Sequence, residues 1–573
     1  MMKFRAVESR LAFRISLFSA LLVVRSQGRL LHPQVWVEDG AVTHVGSNIG
    51  DFVTHGPAAL FRPINGYLVL LPKLVSGLSL LISFSHYAAI STILSCAVIV
   101  FAVALVASSK THLRGGLLLG ILVLMVPSDP EVFALPMYTF WWATLLLFAT
   151  LLWQRDSRDL KWRLPIVWIG GLSSPVIVGI APLFMLRAYL YRKAWHEWAV
   201  SASVVICAIV QFAVWQYSSI PESAPGTITL AKLAHVVPTF FGNYLVGNLL
   251  PGHLGLWIAG IALAAFAAVV LARSQARLQY GCLAVLFFIA VLMTMRRVDL
   301  GILNPRTAGP RYFFLPFILI SWLMAQVISN GGSRYWRAAG WVIIVASVVN
   351  AVPVLSRKQD DLYWRQHVLS CPWFERYSIP IEYDGRAAKA LQLPLTGEQC
   401  RALLSRDLLR HGYRTPATFP YANLSANDYV GRTSLAGAAS ISENGWQAFD
   451  IVSADLPAWK GISAYKSPPA GTNSIQLQLT RGQAVLYRTG PATSNELLLI
   501  DGGRSPFLRL LLPAPSWRLL SFSNALLPKH FSVTFIRPAG SRQWLAIALT
   551  HSQTKMARDS RLGIPSLMSL QNN

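Results

Sequence analysis

The chain reads as an α-helical polytopic membrane protein followed by a C-terminal exported domain of β-sandwich-like type. Three observations predict this. Hydrophobic residues make up 54% of the 573 and charged residues 13%, with a mean hydropathy of +0.45, more apolar surface than a soluble chain of this length can hide. Apolar runs recur from the N-terminus to about residue 355, whereas residues 356 to 573 have ordinary globular composition, so the boundary is a change of solvent. The Lys and Arg behind the formal charge of +25 sit mostly in short loops between apolar runs, the pattern of cytoplasmic anchoring. Membrane lipids are therefore the expected partners, and nucleic acid is not. Two domains follow, residues 1–355 in the membrane and residues 356–573 outside it, mainly β.

Residues 11 to 24, apolar apart from Arg14, follow Lys3, Arg5 and Arg10 without a small-residue cleavage site, which predicts an uncleaved first helix with its N-terminus inside. Further spans are expected near 88–107, 115–127, 132–153, 197–217, 254–272, 279–296, 312–329 and 338–355. The linkers Lys110 to Arg114, Gln154 to Arg163, Arg187 to Lys193, Arg273 to Arg277 and Arg334 to Arg337 are all basic and should all be cytoplasmic. That demand restricts the topology. If residues 67 to 83 crossed, Lys110 to Arg114 would fall outside, so this piece, with Pro72 and Lys73 in it, is read as an external interfacial helix. Residues 164 to 190 begin and end beside cytoplasmic charge, and Ser173-Ser174-Pro175 can turn the chain because proline removes a helix donor, so two short helices form a hairpin. About eleven crossings result, with the C-terminus outside.

The external parts are then residues 26 to 87, the Pro127-Ser128-Asp129-Pro130-Glu131 turn, the Ser218 to Gly255 segment with an interfacial helix around Leu230 to Leu250, and Arg296 to Arg311. In the tail, short alternating runs such as Ser474 to Thr480, Ala484 to Arg488, Phe507 to Leu512, Phe531 to Arg537 and Gln543 to Leu549 read as strands. Cys371 and Cys400 fall there, where an oxidising compartment permits either a bridge or two free thiols.

Chemistry concentrates in the external parts. Trp36-Val37-Glu38-Asp39-Gly40 puts an acidic pair just past the first apolar segment, read as an exposed carboxylate above the membrane. A carboxylate whose pKa is raised at the membrane edge suits a general base, and adjacent positions point different ways, so one of Asp39 and Glu38 faces the reaction; Asp39 is preferred. The bland alternative is a solvated capping turn. Arg296, Arg297, Arg306 and Arg311 stand on the side where few positive charges belong, which calls for an anion nearby; a planar guanidinium suits phosphate. Their alternatives are lipid headgroups or Asp299. Asp129 and Glu131 offer carboxylates for an acceptor hydroxyl or simply cap helices. Tyr138, Trp141 and Trp142 read as an aromatic belt in preference to a sugar-stacking surface. His44 and His55 have no metal-ligand spacing, so no metal and no cofactor are assigned. Walker A, HExxH, nucleophile-elbow and paired CxxC sequences do not occur, which argues against ATP-driven transport, zinc hydrolysis and serine-hydrolase chemistry.

Trp36, Glu38, Asp39 and Gly40, with Asn65-Gly66-Tyr67-Leu68, Leu71-Pro72-Lys73 and Gly309-Pro310-Arg311-Tyr312-Phe313-Phe314 before Pro316, resemble bacterial integral-membrane glycosyltransferases of the C superfamily (GT-C). The resemblance covers the first 355 or so residues. It implies a bacterial inner-membrane enzyme moving a hexose or pentose, with inversion, from a polyprenyl-phosphate or polyprenyl-diphosphate donor to an envelope glycan or lipid acceptor. In that reading Asp39 is the base, with Glu38 its rival. Arg311 and Arg306 bind lipid phosphate, with Arg296, Arg297, Tyr312, Asn65, Tyr67, Asp129 and Glu131 around the substrate. Lys73 stands where the family's run carries Arg, which keeps the charge but loses the fork. Two rival functions stay open: a lipid-glycan transporter, expected to carry charges near the middle of several spans, and a scaffold binding envelope glycan through tail residues such as Trp446, Trp459 or Trp544.

Overall fold

The computed structural model describes the chain except residues 1, 41–46, 109, 155, 157–158, 219–228, 251, 274–276, 331–332, 361, 363, 374–375, 386–390, 410–446, 451–462, 467–472, 481–483, 490–496, 502–506, 511–517, 522–529, 538–544 and 551–573. His44, Trp446, Trp459 and Trp544 lie outside the described residues. The chain divides into two compact units whose segments interleave. The first comprises Met1–Leu31, Thr43–Gly77 and Ser91–Lys358, the second His32–Val42, Leu78–Ile90 and Gln359–Asn573. The carboxylate-bearing start of the first loop thus groups with the tail.

The fold is mostly helical. In chain order the helices are α1 (Met2–Leu31), α2 (Val37–Gly40), α3 (Asn48–His55), α4 (Leu70–Ile82), α5 (Tyr87–Ala107), α6 (Gly116–Leu124), α7 (Thr139–Leu151), α8 (Leu160–Gly171), α9 (Val176–Leu190) and α10 (Trp195–Tyr217). There follow α11 (Leu230–Val236), a π-helical turn at Val237–Gly242, α12 (Asn243–Val246), α13 (His253–Arg273), α14 (Arg277–Arg297), α15 (Phe314–Asn330) and α16 (Arg334–Ala351). Among the described residues, six stretches are long and apolar enough to cross a membrane: Tyr87–Ala107, Trp195–Tyr217, His253–Arg273, Leu278–Arg297, Pro310–Asn330 and Arg334–Val354. The window in Pro310–Asn330 is 83% buried and the other five are 22 to 44% buried, so α15 is the core of the first unit and the others turn apolar sides outward. Ile206, Ile209 and Phe212 on α10, and Val342, Val345 and Val349 on α16, are such outward residues.

The loops of this unit gather in two sets. In one, the last turns of α1 hold the segment 126–133: Arg25 donates to the carbonyls of Val126, Ser128 and Val354, and Arg29 to those of Pro130, Glu131 and Phe133. Asp129 N donates to Pro305 O at 2.7 Å, and Asn248 Nδ2 to Pro127 O at 3.0 Å. In the other set, Lys110 Nζ meets Asp159, Gln154 N donates to Lys110 O, Gln326 pairs with the backbone of Arg114, and Gln279 donates to His112 O. The chain does turn at Ser173-Ser174-Pro175, splitting 160–190 into α8 and α9. Within the Ser218 to Gly255 segment, α11, the π turn and α12 run on without a break. Cβ atoms added at Gly242 and Gly260 would lie 2.2 and 2.6 Å from the carbonyl oxygens of Leu256 and Val237, so the π turn and α13 pack backbone to backbone.

In the second unit, strands β1 (Arg376–Ile381) and β2 (Leu391–Thr396) pair antiparallel, flanked by α17 (Trp364–Ser370) and α18 (Gly397–Ser405). Cys371 and Cys400 form a disulfide, which settles the alternative left by sequence. Further on come β3 (Gln447–Asp450), β4 (Ser463–Lys466), β5 (Asn473–Thr480), β6 (Ala484–Thr489), β7 (Leu497–Asp501), β8 (Phe507–Leu510), β9 (Arg518–Ser521), β10 (His530–Arg537) and β11 (Leu545–Thr550). They form two antiparallel sheets of order β5-β10-β7-β8 and β3-β4-β11-β6-β9. Phe531, Val533 and Phe535 are buried at the two-residue period of a strand, with Val533 opposite Leu477.

Candidate functional site

Asp39 belongs to the second unit. Its one-turn helix α2 closes when Asp39 N and Gly40 N both donate to Trp36 O at 2.9 and 3.0 Å. The preceding strand-like residues are pinned to the tail: Glu382 N donates to Val35 O at 2.7 Å, and Trp36 bridges Glu382 in parallel. Gly40 is tightly packed, since a Cβ would meet Val35 and Ile381 at 3.0 and 3.1 Å. The result corrects the exposed-carboxylate reading: Asp39 is 0% exposed, while Glu38 is half-buried.

The other predicted residues lie in the first unit, where four distant segments converge on a ring of aromatic and arginine side chains. Arg297, at the end of α14, stands 5.7 Å over the Tyr67 ring; Tyr67 meets Phe140 edge-on at 6.2 Å, and Phe140 meets Trp141 at 5.0 Å. Trp141 meets Tyr312 at 6.2 Å, and Arg311 lies over both Tyr312 and Tyr138, at 5.3 and 5.7 Å. Tyr138 closes the circle on Phe140 at 6.4 Å. Under it, Glu131 Oε1 accepts from Tyr138 Oη at 2.9 Å and from Arg311 Nη1, which also donates to Tyr138 Oη at 2.9 Å. Tyr67, Phe140, Trp141, Arg311 and Tyr312 are each half-buried, so the ring has an open side.

Local chemistry explains how each segment delivers its residues. Asn65 and Gly66 have φ of 52° and 83°, and Ile64 and Tyr67 exchange backbone hydrogen bonds, so Asn65-Gly66 is a primed tight turn that presents Tyr67. Beyond it, Gln211 on α10 accepts from Leu68 N and donates to Leu68 O, while Leu70 N and Leu71 N donate to Leu172 O and Ser173 Oγ at the α8–α9 turn. Gly309, with φ of 65°, starts the short turn Pro310–Phe313 that carries Arg311 and Tyr312. Asn65 and Ala134 are the two non-glycine residues with positive φ among the described residues, and both lie in segments that serve the ring. Backbone strain collects at functional sites for this reason.

Asn65 and Tyr67 are therefore a turn residue and a ring member. Arg311 is engaged by Glu131, which places a carboxylate where the sequence called for an outside anion. Asp129 is likewise engaged, accepting from Arg357 Nε at 3.1 Å and Nη2 at 2.6 Å. Lys73 is 0% exposed; it pairs with Asp51 and donates to Ser47 O, so its charge is engaged within the protein. Asp299 caps the turn at Gly301 and leaves Arg296 and Arg297 exposed, with no carboxylate partner among the described residues. Arg306 is exposed too, at the tip of a loop in which Asn304 Oδ1 accepts from Arg306 N and Thr307 N. The belt reading is also corrected: Tyr138 and Trp142 are buried, and Trp142 Nε1 donates to Val132 O at 2.9 Å.

Sequence reasoning missed Arg163, Arg187 and Glu197, having counted the two arginines as loop anchors. Glu197 near the start of α10 accepts from Arg163 Nη1 and Nη2 at 2.9 and 3.0 Å and from Arg187 Nε and Nη2 at 2.8 and 2.9 Å. Arg187 Nη1 also donates to Leu151 O at 2.6 Å. Phe140 was missed as well, although the run Phe140-Trp141-Trp142 at a helix start was the available signal.

No protein-family model, curated protein or solved structure matches this chain.

Proposed function

We propose that the protein is a membrane glycosyltransferase of GT-C type that moves a sugar from a polyprenyl-phosphate or polyprenyl-diphosphate donor to a glycan or lipid hydroxyl on the external face. The observation that carries this reading is the arginine–aromatic ring with Arg296, Arg297 and Arg306 left exposed, a combination suited to a phosphorylated sugar. In this reading α1, α5 to α10 and α13 to α16 are the eleven crossings of the sequence analysis. The loop set holding Arg25, Asp129 and Arg311 faces outward, and the set holding Lys110, Arg114 and Arg163 faces the cytoplasm.

Asp39 takes the proton of the acceptor hydroxyl, and that oxygen attacks the anomeric carbon. The bond from that carbon to the phosphate oxygen breaks, the phosphate leaves with the electron pair, and the configuration inverts. Arg297 and Arg306 stabilise the departing charge, a role that passes to them because Arg311 is already neutralised by Glu131. The buried charges of Arg163, Arg187 and Glu197 stand near helix ends and pair among themselves, unlike the mid-span charges of ion-coupled transporters. The test is transfer from cell-derived polyprenyl-linked donors by purified protein. Arg297→Gln should lower the rate roughly 10²-fold, the loss typical of one preorganised donor to developing charge. An unchanged rate removes Arg297 from the mechanism.

A further inference from the structure

Two atoms in and under the arginine–aromatic ring have lost water without gaining a partner. Glu131 Oε2 is buried, in a side chain only 5% exposed, and nothing donates to it among the described residues. Trp141 Nε1 is buried and donates to nothing among them. One is an acceptor and the other a donor, and a desolvated polar atom is costly to leave unmade. Sugar hydroxyls can serve either, since a hydroxyl both donates and accepts. The half-buried rings of Tyr67, Trp141 and Tyr312 supply π faces, which attract the weakly positive C–H face of a sugar ring.

Charge narrows the class further. Arg311 is matched by Glu131, so the interior of the ring is neutral, and the unmatched charge, Arg297, lies over Tyr67. We propose that this ring is a saccharide subsite for a neutral sugar. Its C–H face lies on the aromatic side chains, its hydroxyls donate to Glu131 Oε2 and accept from Trp141 Nε1, and any phosphate it carries is met by Arg297. Arg311 acts through Glu131, holding that carboxylate in orientation through its hydrogen bond to Oε1, and is a positioning residue. The inference deepens the glycosyl-transfer reading and rests on it for the donor's identity, but sugar binding stands on the geometry alone.

The test is equilibrium titration of the purified full-length protein in nanodiscs with methyl glycosides of glucose, galactose, mannose and arabinose, followed by saturation-transfer NMR. At least one glycoside should saturate. Trp141→Phe, which keeps the ring and deletes the N–H, should weaken that glycoside about 10-fold, the equivalent of one lost buried hydrogen bond, without moving the unfolding temperature. Glu131→Gln should weaken it as well. Absence of saturable binding for every glycoside overturns the proposal, as does unchanged affinity in both variants. If glycosides bind but no polyprenyl-linked donor is consumed, the subsite stands and the transferase reading fails. If transfer proceeds in Trp141→Phe with unchanged KM and kcat, the subsite fails alone.

Discussion

Glu197 and Glu131 are both buried carboxylates beside arginine in the same helical unit, yet their surroundings differ in one respect. Glu197 receives four charge-assisted hydrogen bonds from two guanidiniums, and each of its oxygens accepts two. Glu131 receives both of its bonds at Oε1 and leaves Oε2 bare among the described residues. A saturated carboxylate has no capacity left for a ligand, so its work is to tie α8, α9 and α10 together at one end. An unsaturated one, under half-open aromatic rings, has capacity to spend. Stability should therefore follow saturation, and ligand binding should run opposite to it.

The largest stability loss is expected at Glu197. Glu197→Ala leaves two buried guanidiniums uncompensated and should cost about 3–5 kcal/mol, seen as a collapse in thermal unfolding temperature or in folded yield. An unperturbed protein would mean the triad is not buried as described. Asp407 in the second unit comes next: its Oδ2 accepts from Ser83 Oγ, Ser85 Oγ and Ser85 N, just ahead of α5, and its Oδ1 accepts from Leu409 N. Asp407→Ala should cost about 2–3 kcal/mol by denaturant melts, since it strips charge-assisted bonds and a favourable anion from a helix start.

Asp159 offers a milder, pH-dependent case. Burial pushes its pKa up, but Trp153 Nε1 and Lys110 Nζ donate to it and the charges of Lys110 and Arg163 add to them, so the net direction is down from 3.8. A depressed pKa gives stability that is present above the unfolded value and lost as pH falls through the folded one. The gap in unfolding temperature between wild type and Asp159→Asn should thus be open at pH 6 and close as pH drops below 3.8. A gap that persists in acid would contradict the assignment. Smallest of all in stability should be Glu131→Gln, because Gln still accepts from Tyr138 and Arg311 and the Arg311 side chain is 31% exposed. If Glu131→Gln destabilises as much as Glu197→Ala, the contrast between the two sites collapses.

Local chemistry was legible in the sequence and burial was not. Ser173-Ser174-Pro175 announces the α8–α9 turn because proline acts on its immediate neighbours, and alternation announces the strands around Val533 and Leu477. Asn65-Gly66 likewise encodes a turn through φ alone. The residues flanking Asp39 meet Glu382 and Ile381, more than 300 residues away, and nothing near Asp39 in the sequence reports that contact. The basic linkers concealed the buried triad for a related reason. Positive-inside counting treats every Arg as solvated, whereas Arg163 and Arg187 are bound by Glu197 on the next helix. The ring was half legible: Arg311, Tyr312 and Tyr67 stood out by resemblance, but Phe140 and Trp141 join them only once four segments meet.

The central claim, glycosyl transfer with Asp39 as base, is tested most directly by one assay. Purified wild type and Asp39→Asn, matched for unfolding temperature, are incubated with cell-derived polyprenyl-linked sugars and envelope acceptors, and transferred sugar is counted. The account predicts transfer by wild type and a fall of roughly 10²–10⁴-fold in the variant, the share that a positioned base contributes. Equal rates in the two proteins, or no transfer by wild type from any donor, would contradict it.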